Sequence, residues 1–252
     1  MHRISREDSI REQDAYKKVY PPFEPYVPSK PDQIRIIKYF LNLLATQNGQ
    51  DADDYPIFDD NVVERYLGSQ PRGKLLLLGV GSGRETLVAK DLGFDAVGLT
   101  LGSRNVDYGI SYLGLLPEEH RQCLNEALPF PSSHFDIVAG FQVFEHTLAP
   151  LLFLLEQNRV LKSGGVLILE WPPAEKYHMG SNPHHQICYT PGQAKALFEK
   201  AGFQVVRLCY DNLEIIPEKD YWTGKGDRML CIEGEKQLST ESYITNMELY
   251  GP

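Results

Sequence analysis

Three stretches hold residue types at spacings that suit chemistry. The first is Leu78-Gly79-Val80-Gly81-Ser82-Gly83-Arg84-Glu85-Thr86, with glycine at every second position of the loop. Glycine reaches positive φ without strain and lets a ligand lie against the backbone. A helix starting at the end of this loop would present unpaired N–H groups. The second is Phe141-Gln142-Val143-Phe144-Glu145-His146. Here His146 is a candidate proton acceptor near neutral pH, with helix capping or packing as the equal alternative. The third is Glu170-Trp171-Pro172-Pro173, followed by Tyr177-His178 and His184-His185-Gln186. Histidines so concentrated in a polar stretch suit a substrate-contacting loop with one of them as base or donor, with a plain solvated loop as the alternative, and Trp171 suits either stacking on a substrate or burial. The adjacent His184 and His185 diverge in most conformations, and no cysteine or carboxylate spacing accompanies them. No metal ion is therefore expected.

The surrounding pattern says what must hold these stretches. Residues 75–78 form a short apolar run bounded by glycine, which predicts a buried strand. Helices are predicted over 86–92, 104–113, 151–161 and 191–200, and strands over 95–99, 135–139, 166–169, 203–210 and 228–232. Strands alternating with helices imply a mainly parallel sheet covered on both faces. The last two strands lack a strong helix between them, which predicts an antiparallel pair. In an open α/β sheet, ligands bind at the carboxyl ends of the strands.

Residues 1–30 are charged and then proline-rich, which predicts an extended arm. Tyr16, Tyr20, Phe23 and Tyr26 would let that arm serve as a lid. Ile34, Ile37, Phe40, Leu41 and Leu44 share one helical face, and a short helix is predicted near 61–67. The expected organisation is an N-terminal arm and helical cap over 1–70 and a ligand-binding domain over 71–252.

Composition narrows the classes. A chain of 252 residues, 42% hydrophobic and 23% charged, suits one large α/β domain. A net charge of −9 disfavours holding a nucleic acid by field alone. No run reaches the roughly 18 apolar residues of a membrane span, and the first residues are too charged for a signal peptide. Cys123, Cys188, Cys209 and Cys231 form no CxxC and are expected as reduced thiols in a cytoplasmic protein.

Beyond the glycine loop, further motifs follow in order. They are Gly98-Leu99-Thr100, then Leu128-Pro129-Phe130-Pro131 with Phe135-Asp136, then Glu145-His146, then Arg159-Val160-Leu161-Lys162-Ser163-Gly164-Gly165. Over roughly residues 73–208 this series resembles the class I S-adenosylmethionine-dependent methyltransferases, of the small-molecule type found in ubiquinone and menaquinone biosynthesis. The resemblance implies an α/β, Rossmann-like fold. Its seven-stranded, mostly parallel sheet would have one antiparallel edge strand, helices on both faces and an N-terminal helical cap. It implies S-adenosyl-L-methionine as cofactor and S-adenosyl-L-homocysteine as product. The methionine part would meet Gly79, Val80, Gly81, Ser82, Gly83, Glu85 and Thr86, and the ribose Thr100, Leu101, Ser103 and Asn105. The adenine would meet Asn125, Glu126 and Ala127, and the methyl end Phe141 and Gln142. Substrate contacts would come from Glu145, Trp171, Tyr177 and His178, with the base among His146, His184 and His185. The implied reaction is methyl transfer to an O, N or S atom of a small molecule, by a monomer or homodimer with neither nucleic acid nor membrane as partner.

The chain departs from the family at three places where an acid is usual: Leu77, Thr100 and Leu124. The run from Gly98 to Asn105 is similar instead to a "GxTLSxxQ" form found in cyclopropane fatty acid synthases, which implies Thr100, Ser103 and Asn105 as ribose contacts. In ubiquinone-type relatives an "ExxEH" pattern can hold a metal ion; Gln142 stands for its first glutamate here. The lost acids motivate an alternative, a cofactor-binding but non-methylating relative such as a regulatory subunit or a lyase using the sulfonium cofactor.

Overall fold

A computed structural model of the chain describes residues 31, 35, 61–173, 185–223, 226 and 228–237. The arm over 1–30 and nearly all of the helix expected from Ile34 to Leu44 lie outside the described residues, although Pro31 and Arg35 are helical.

The chain enters through α1 (Val62–Leu67) and β1 (Lys74–Leu78), then α2 (Arg84–Asp91), β2 (Asp95–Thr100), α3 (Ser103–Ser111) and β3 (His120–Gln122). It continues through β4 (Phe135–Phe141), a 3-10 turn (Phe144–His146), α4 (Pro150–Val160), β5 (Leu161–Trp171), α5 (Pro191–Lys200), β6 (Phe203–Tyr210), a second 3-10 turn (Glu218–Asp220) and β7 (Leu230–Lys236). The seven strands form one sheet in the order β3-β2-β1-β4-β5-β7-β6. Strands β1 to β5 pair in parallel. The reversed strand is β7, antiparallel to both β5 and the edge strand β6.

Alternate residues of a strand face opposite sides, and the all-leucine stretch of β1 serves both. Leu76 and Leu78 join Val138, Leu167, Leu169, Phe153 and Phe198 in the layer under α4 and α5. Leu75 and Leu77 join Ala139, Ile168, Ala89 and the α1 residues Val62, Tyr66 and Leu67 in the other. Leu77, where the family usually has an acid, is thus core. Helix α1 precedes the boundary expected at residue 70, yet it packs into the same layer as β1 and α2.

Helix α4 is buried from Phe153 to Val160, including four polar residues in succession, Glu156, Gln157, Asn158 and Arg159. Each polar side chain is bound. Arg159 donates to Glu156 through Nε (2.9 Å) and NH2 (2.7 Å), and its guanidinium also donates to the carbonyls of Leu128 and Phe130. The Glu156 carboxylate accepts the Leu128 N–H at 2.8 Å. Gln157 donates to the Asn125 carbonyl and Asn158 to that of Ala201. The Glu156–Arg159 ion pair of α4, whose arginine opens the "RVL" motif, therefore holds the "LPFP" backbone and fixes the loop after β3. Arg159→Ala strands the Glu156 carboxylate in the core. It is expected to cost ~3–5 kcal/mol, read as a shifted urea midpoint with unchanged slope.

Candidate active site

The glycine loop joins β1 to α2 with all three glycines at positive φ: Gly79 at 67°, Gly81 at 48° and Gly83 at 95°. The loop is tied down where it must be. The Val80 N–H donates to the Leu99 carbonyl at 2.9 Å, and the Gly83 N–H to the Val80 carbonyl at 2.8 Å. The Val80 side chain is buried. Gly81 opens on space, since a Cβ there would meet none of the described residues within 4 Å. Ser82 and Glu85 are half-buried beside it, and Glu85 in the first turn of α2 complements the positive end of the helix. Thr86 points elsewhere. It is fully buried, and its Oγ1 occupies the site a Cβ would need at Gly98 of β2, 2.1 Å from that position. Its part is to pack α2 on the sheet, not to touch a ligand.

Beside the loop, the end of β2 brings Thr100, buried, and Leu101, whose carbonyl accepts from the Gln122 side chain at 2.7 Å. Ser103 is exposed and Asn105 half-buried in the first turns of α3. His120 of β3, a residue the sequence pattern does not single out, wedges between these parts. Its Nε2 lies 3.1 Å from the Asn105 carbonyl. Its ring is 3.3 Å from where a Cβ would stand on Gly83 and 2.5 Å from one on Gly109. The imidazole thereby spaces the glycine loop from α3, and burial lowers its affinity for a proton.

The loop after β3 supplies Asn125, Glu126 and Ala127. Both polar residues are buried. Asn125 Oδ1 has no hydrogen-bond partner among the described residues. Ala127 is half-buried, its N–H donating to the Leu124 carbonyl. Burial pushes the Glu126 carboxyl up to about 7, against the opposing bond from its own amide. A raised folded-state value means stability that is present at low pH and lost as pH rises from the ordinary value, near 4.5, through about 7. Glu126→Gln, neutral throughout, is expected to match the parent at pH 4.5. Its melting temperature should pull ahead as pH rises to 7.5, by the equivalent of about 2–3 kcal/mol. Thermal melts across that range check it.

The turn after β4 faces the loop. Phe141 stacks on Tyr66 of α1, with centroids 5.7 Å apart. Gln142 is exposed and adopts φ 56°, unusual for a side chain with a Cβ. Val143 lies over Gly79, its Cγ2 3.0 Å from where a Cβ would stand.

Next comes a cluster. Glu145 is buried, and its Oε1 lies 3.9 Å from Nε2 of both His146 and His185. The two imidazoles meet edge to face at 5.0 Å. His185 is buried, whereas the His146 side chain is 38% exposed and so open to a ligand. Burial pushes the Glu145 carboxyl up to about 8, with the charge of Glu170 adding to it. The segment bearing His185 is clasped to the turn, because the Glu145 carbonyl accepts the N–H groups of Gln186 and Ile187. Tyr189 stacks on Phe144 at 4.2 Å.

One donor atom from each of Glu145, His146 and His185 lies within 4.8 Å of the others. The carboxylate that the spacing around His184-His185 lacks arrives from the turn after β4, a juxtaposition no local pattern reveals. Trp171 is fully buried, its indole N–H donating to the Tyr189 carbonyl at 3.0 Å. It is core beneath the site, not a stacking surface for substrate. Glu145 is likewise too buried to meet a substrate directly. Tyr177, His178 and His184 lie outside the described residues.

A family described as "Methyltransferase domain" matches residues 76–169. Among curated proteins, a sterol 24-C-methyltransferase of Yarrowia lipolytica is 32% identical over 133 residues, 49% of this chain and 34% of that one. A ubiquinone biosynthesis O-methyltransferase of Cereibacter sphaeroides is 30% identical over 97 residues, 38% of this chain and 39% of that one. The chain spans only about a third of the length of the curated relatives it matches first. Among solved structures, a TehB-like SAM-dependent methyltransferase from Corynebacterium glutamicum superposes with a TM-score of 0.54 at 16% identity, covering 82% of this chain and 100% of that one. The cyclase SpnF gives 0.55 at 16% identity, over 81% and 94%. At such identities the likeness is one of fold. Among the described residues no helix is long and apolar enough to cross a membrane.

Proposed function

We propose, from the premise that residues 76–169 are a class I S-adenosylmethionine-dependent methyltransferase domain, that this chain methylates an O, N or S atom of a small molecule. The observation that carries the reading is the glycine loop, open at Gly81 and covered at Gly79 by the turn that leads to a half-exposed His146. The residues fit the cofactor. The loop has backbone and space where the methionine part would lie, and the buried Asn125 Oδ1 offers an acceptor for an amino group.

The sulfonium supplies an already activated methyl group, so the protein's task is to hold the acceptor in line and remove its proton. His146 takes that proton as the acceptor's lone pair bonds to carbon. Buried Glu145, its Oε1 3.9 Å from Nε2 of both imidazoles, fixes where the His146 ring sits. His185 closes the far side of the carboxyl and keeps water from it. An acidic chain suits a small acceptor better than a polyanion.

Calorimetric titration with S-adenosylmethionine and S-adenosylhomocysteine tests the premise, with micromolar binding of both expected. Release of S-adenosylhomocysteine with candidate acceptors then tests transfer, and its absence with all of them would favour a lyase or a regulatory subunit. The grouping of Glu145, His146 and His185 favours one second reading, in which the three hold a divalent cation that an acceptor's oxygens would complete.

A further inference from the structure

Gln142 holds a left-handed backbone conformation, φ 56°, that a side-chain-bearing residue rarely adopts, and what holds it there is Glu170. The Gln142 N–H donates to the Glu170 carbonyl at 3.0 Å, and Gln142 Nε2 donates to Glu170 Oε1 at 3.2 Å. The other carboxylate oxygen accepts the Tyr66 hydroxyl at 2.7 Å, with the Arg65 guanidinium at 3.8 Å. Glu170 is the penultimate residue of β5, buried, on the face of the sheet that packs against α1.

A carboxylate only accepts. It therefore commits the NH2 end of the Gln142 amide to itself and leaves the oxygen end to accept from another donor. The next residue, Val143, lies over Gly79 of the glycine loop, its Cγ2 3.0 Å from where a Cβ would stand. We propose that Glu170 is a positioning residue that sets the polarity of the Gln142 amide, so that Gln142 Oε1 receives the α-ammonium group of S-adenosylmethionine. This inference rests on the methyltransferase reading and extends it to a choice between ligands with and without a positive amino group.

The test compares S-adenosylhomocysteine with its deamino analogue, the same thioether with hydrogen in place of the ammonium. A bond to a charged group gives the parent protein roughly a 10–100-fold preference for the ammonium ligand. In Glu170→Gln the facing amide can donate to Gln142 Oε1, and the preference should fall to about 3-fold or less. Gln142→Gly removes the acceptor and relaxes the left-handed backbone, so it should fold and show the same collapse. Tyr66→Phe removes only the opposite bond to the carboxylate and should keep the parent's preference.

A purely structural role for Glu170 would weaken both ligands equally and leave the ratio intact, which would overturn the proposal. So would an unchanged ratio in Gln142→Gly. Failure of the folded parent to bind S-adenosylhomocysteine at all would instead bring down the methyltransferase reading, and this inference with it.

Discussion

Gly81→Val abolishes detectable binding of S-adenosylhomocysteine while the protein still melts cooperatively, about 2–12 °C below the parent. The two halves of this expectation have separate causes. A Cβ at Gly81 meets no atom of the described residues within 4 Å, so valine fills open space where the ligand is expected. Its φ of 48° makes a β-branched residue strained, at about 1–3 kcal/mol. That corresponds to a fall of roughly 2–4 °C per kcal/mol in a chain of this size. Gly98→Val is the contrasting control. There a Cβ would stand 2.1 Å from Thr86 Oγ1 and 2.7 Å from the Val80 side chain, so the fold should fail before the ligand is involved. Calorimetry and thermal melts on both variants separate the cradle from the scaffold. Affinity within about 3-fold of the parent in Gly81→Val would mean that the ligand does not lie on this loop.

The parts of the fold that the sequence makes legible are those whose signal is local. Leu75 to Leu78 can only be a strand buried on both faces, and the alternation that follows dictates a parallel sheet. Thr190 and Gln193 form a capping box, which is why α5 begins at the expected Pro191. Strand β3 is invisible by the same criterion, since His120-Arg121-Gln122 has no apolar period and is a strand only because β2 offers it an edge. Strand β5 begins at Leu161, before the expected 166, because its Ser163-Gly164 portion is exposed and carries no hydrophobic pattern.

The site divides in the same way. The glycine loop is readable because backbone needs glycine there. Thr86 and Trp171 mislead because a residue's place in a motif says nothing about which way its side chain points. Glu170 ends an apolar run and hints at a partner, but that partner is Tyr66, 104 residues away. His120 gives no hint at all, since its task is to fill the gap left by Gly83 and Gly109 in two other elements.

The largest effect on turnover is expected at the cluster after β4. His146→Ala should lower methyl transfer to a small-molecule acceptor by roughly 10²–10⁴-fold, the usual contribution of a positioned base, with affinity for S-adenosylhomocysteine retained. His185→Ala should cost less, because that ring is buried and acts through Glu145. The same variants distinguish the base from the cation reading. A base works in a chelating buffer, so the parent's rate should survive treatment with EDTA, and the His146→Ala deficit should be the same with and without it. If the three donors instead held an ion, chelation would reproduce the deficit in the parent and added divalent metal would restore it. Ala at Glu145, His146 or His185 would then be similarly damaging, and no two losses would add, since each removes the same ion. Exposure favours the first outcome. Of the three side chains only His146 is substantially exposed, at 38%, and one such group is enough for a base.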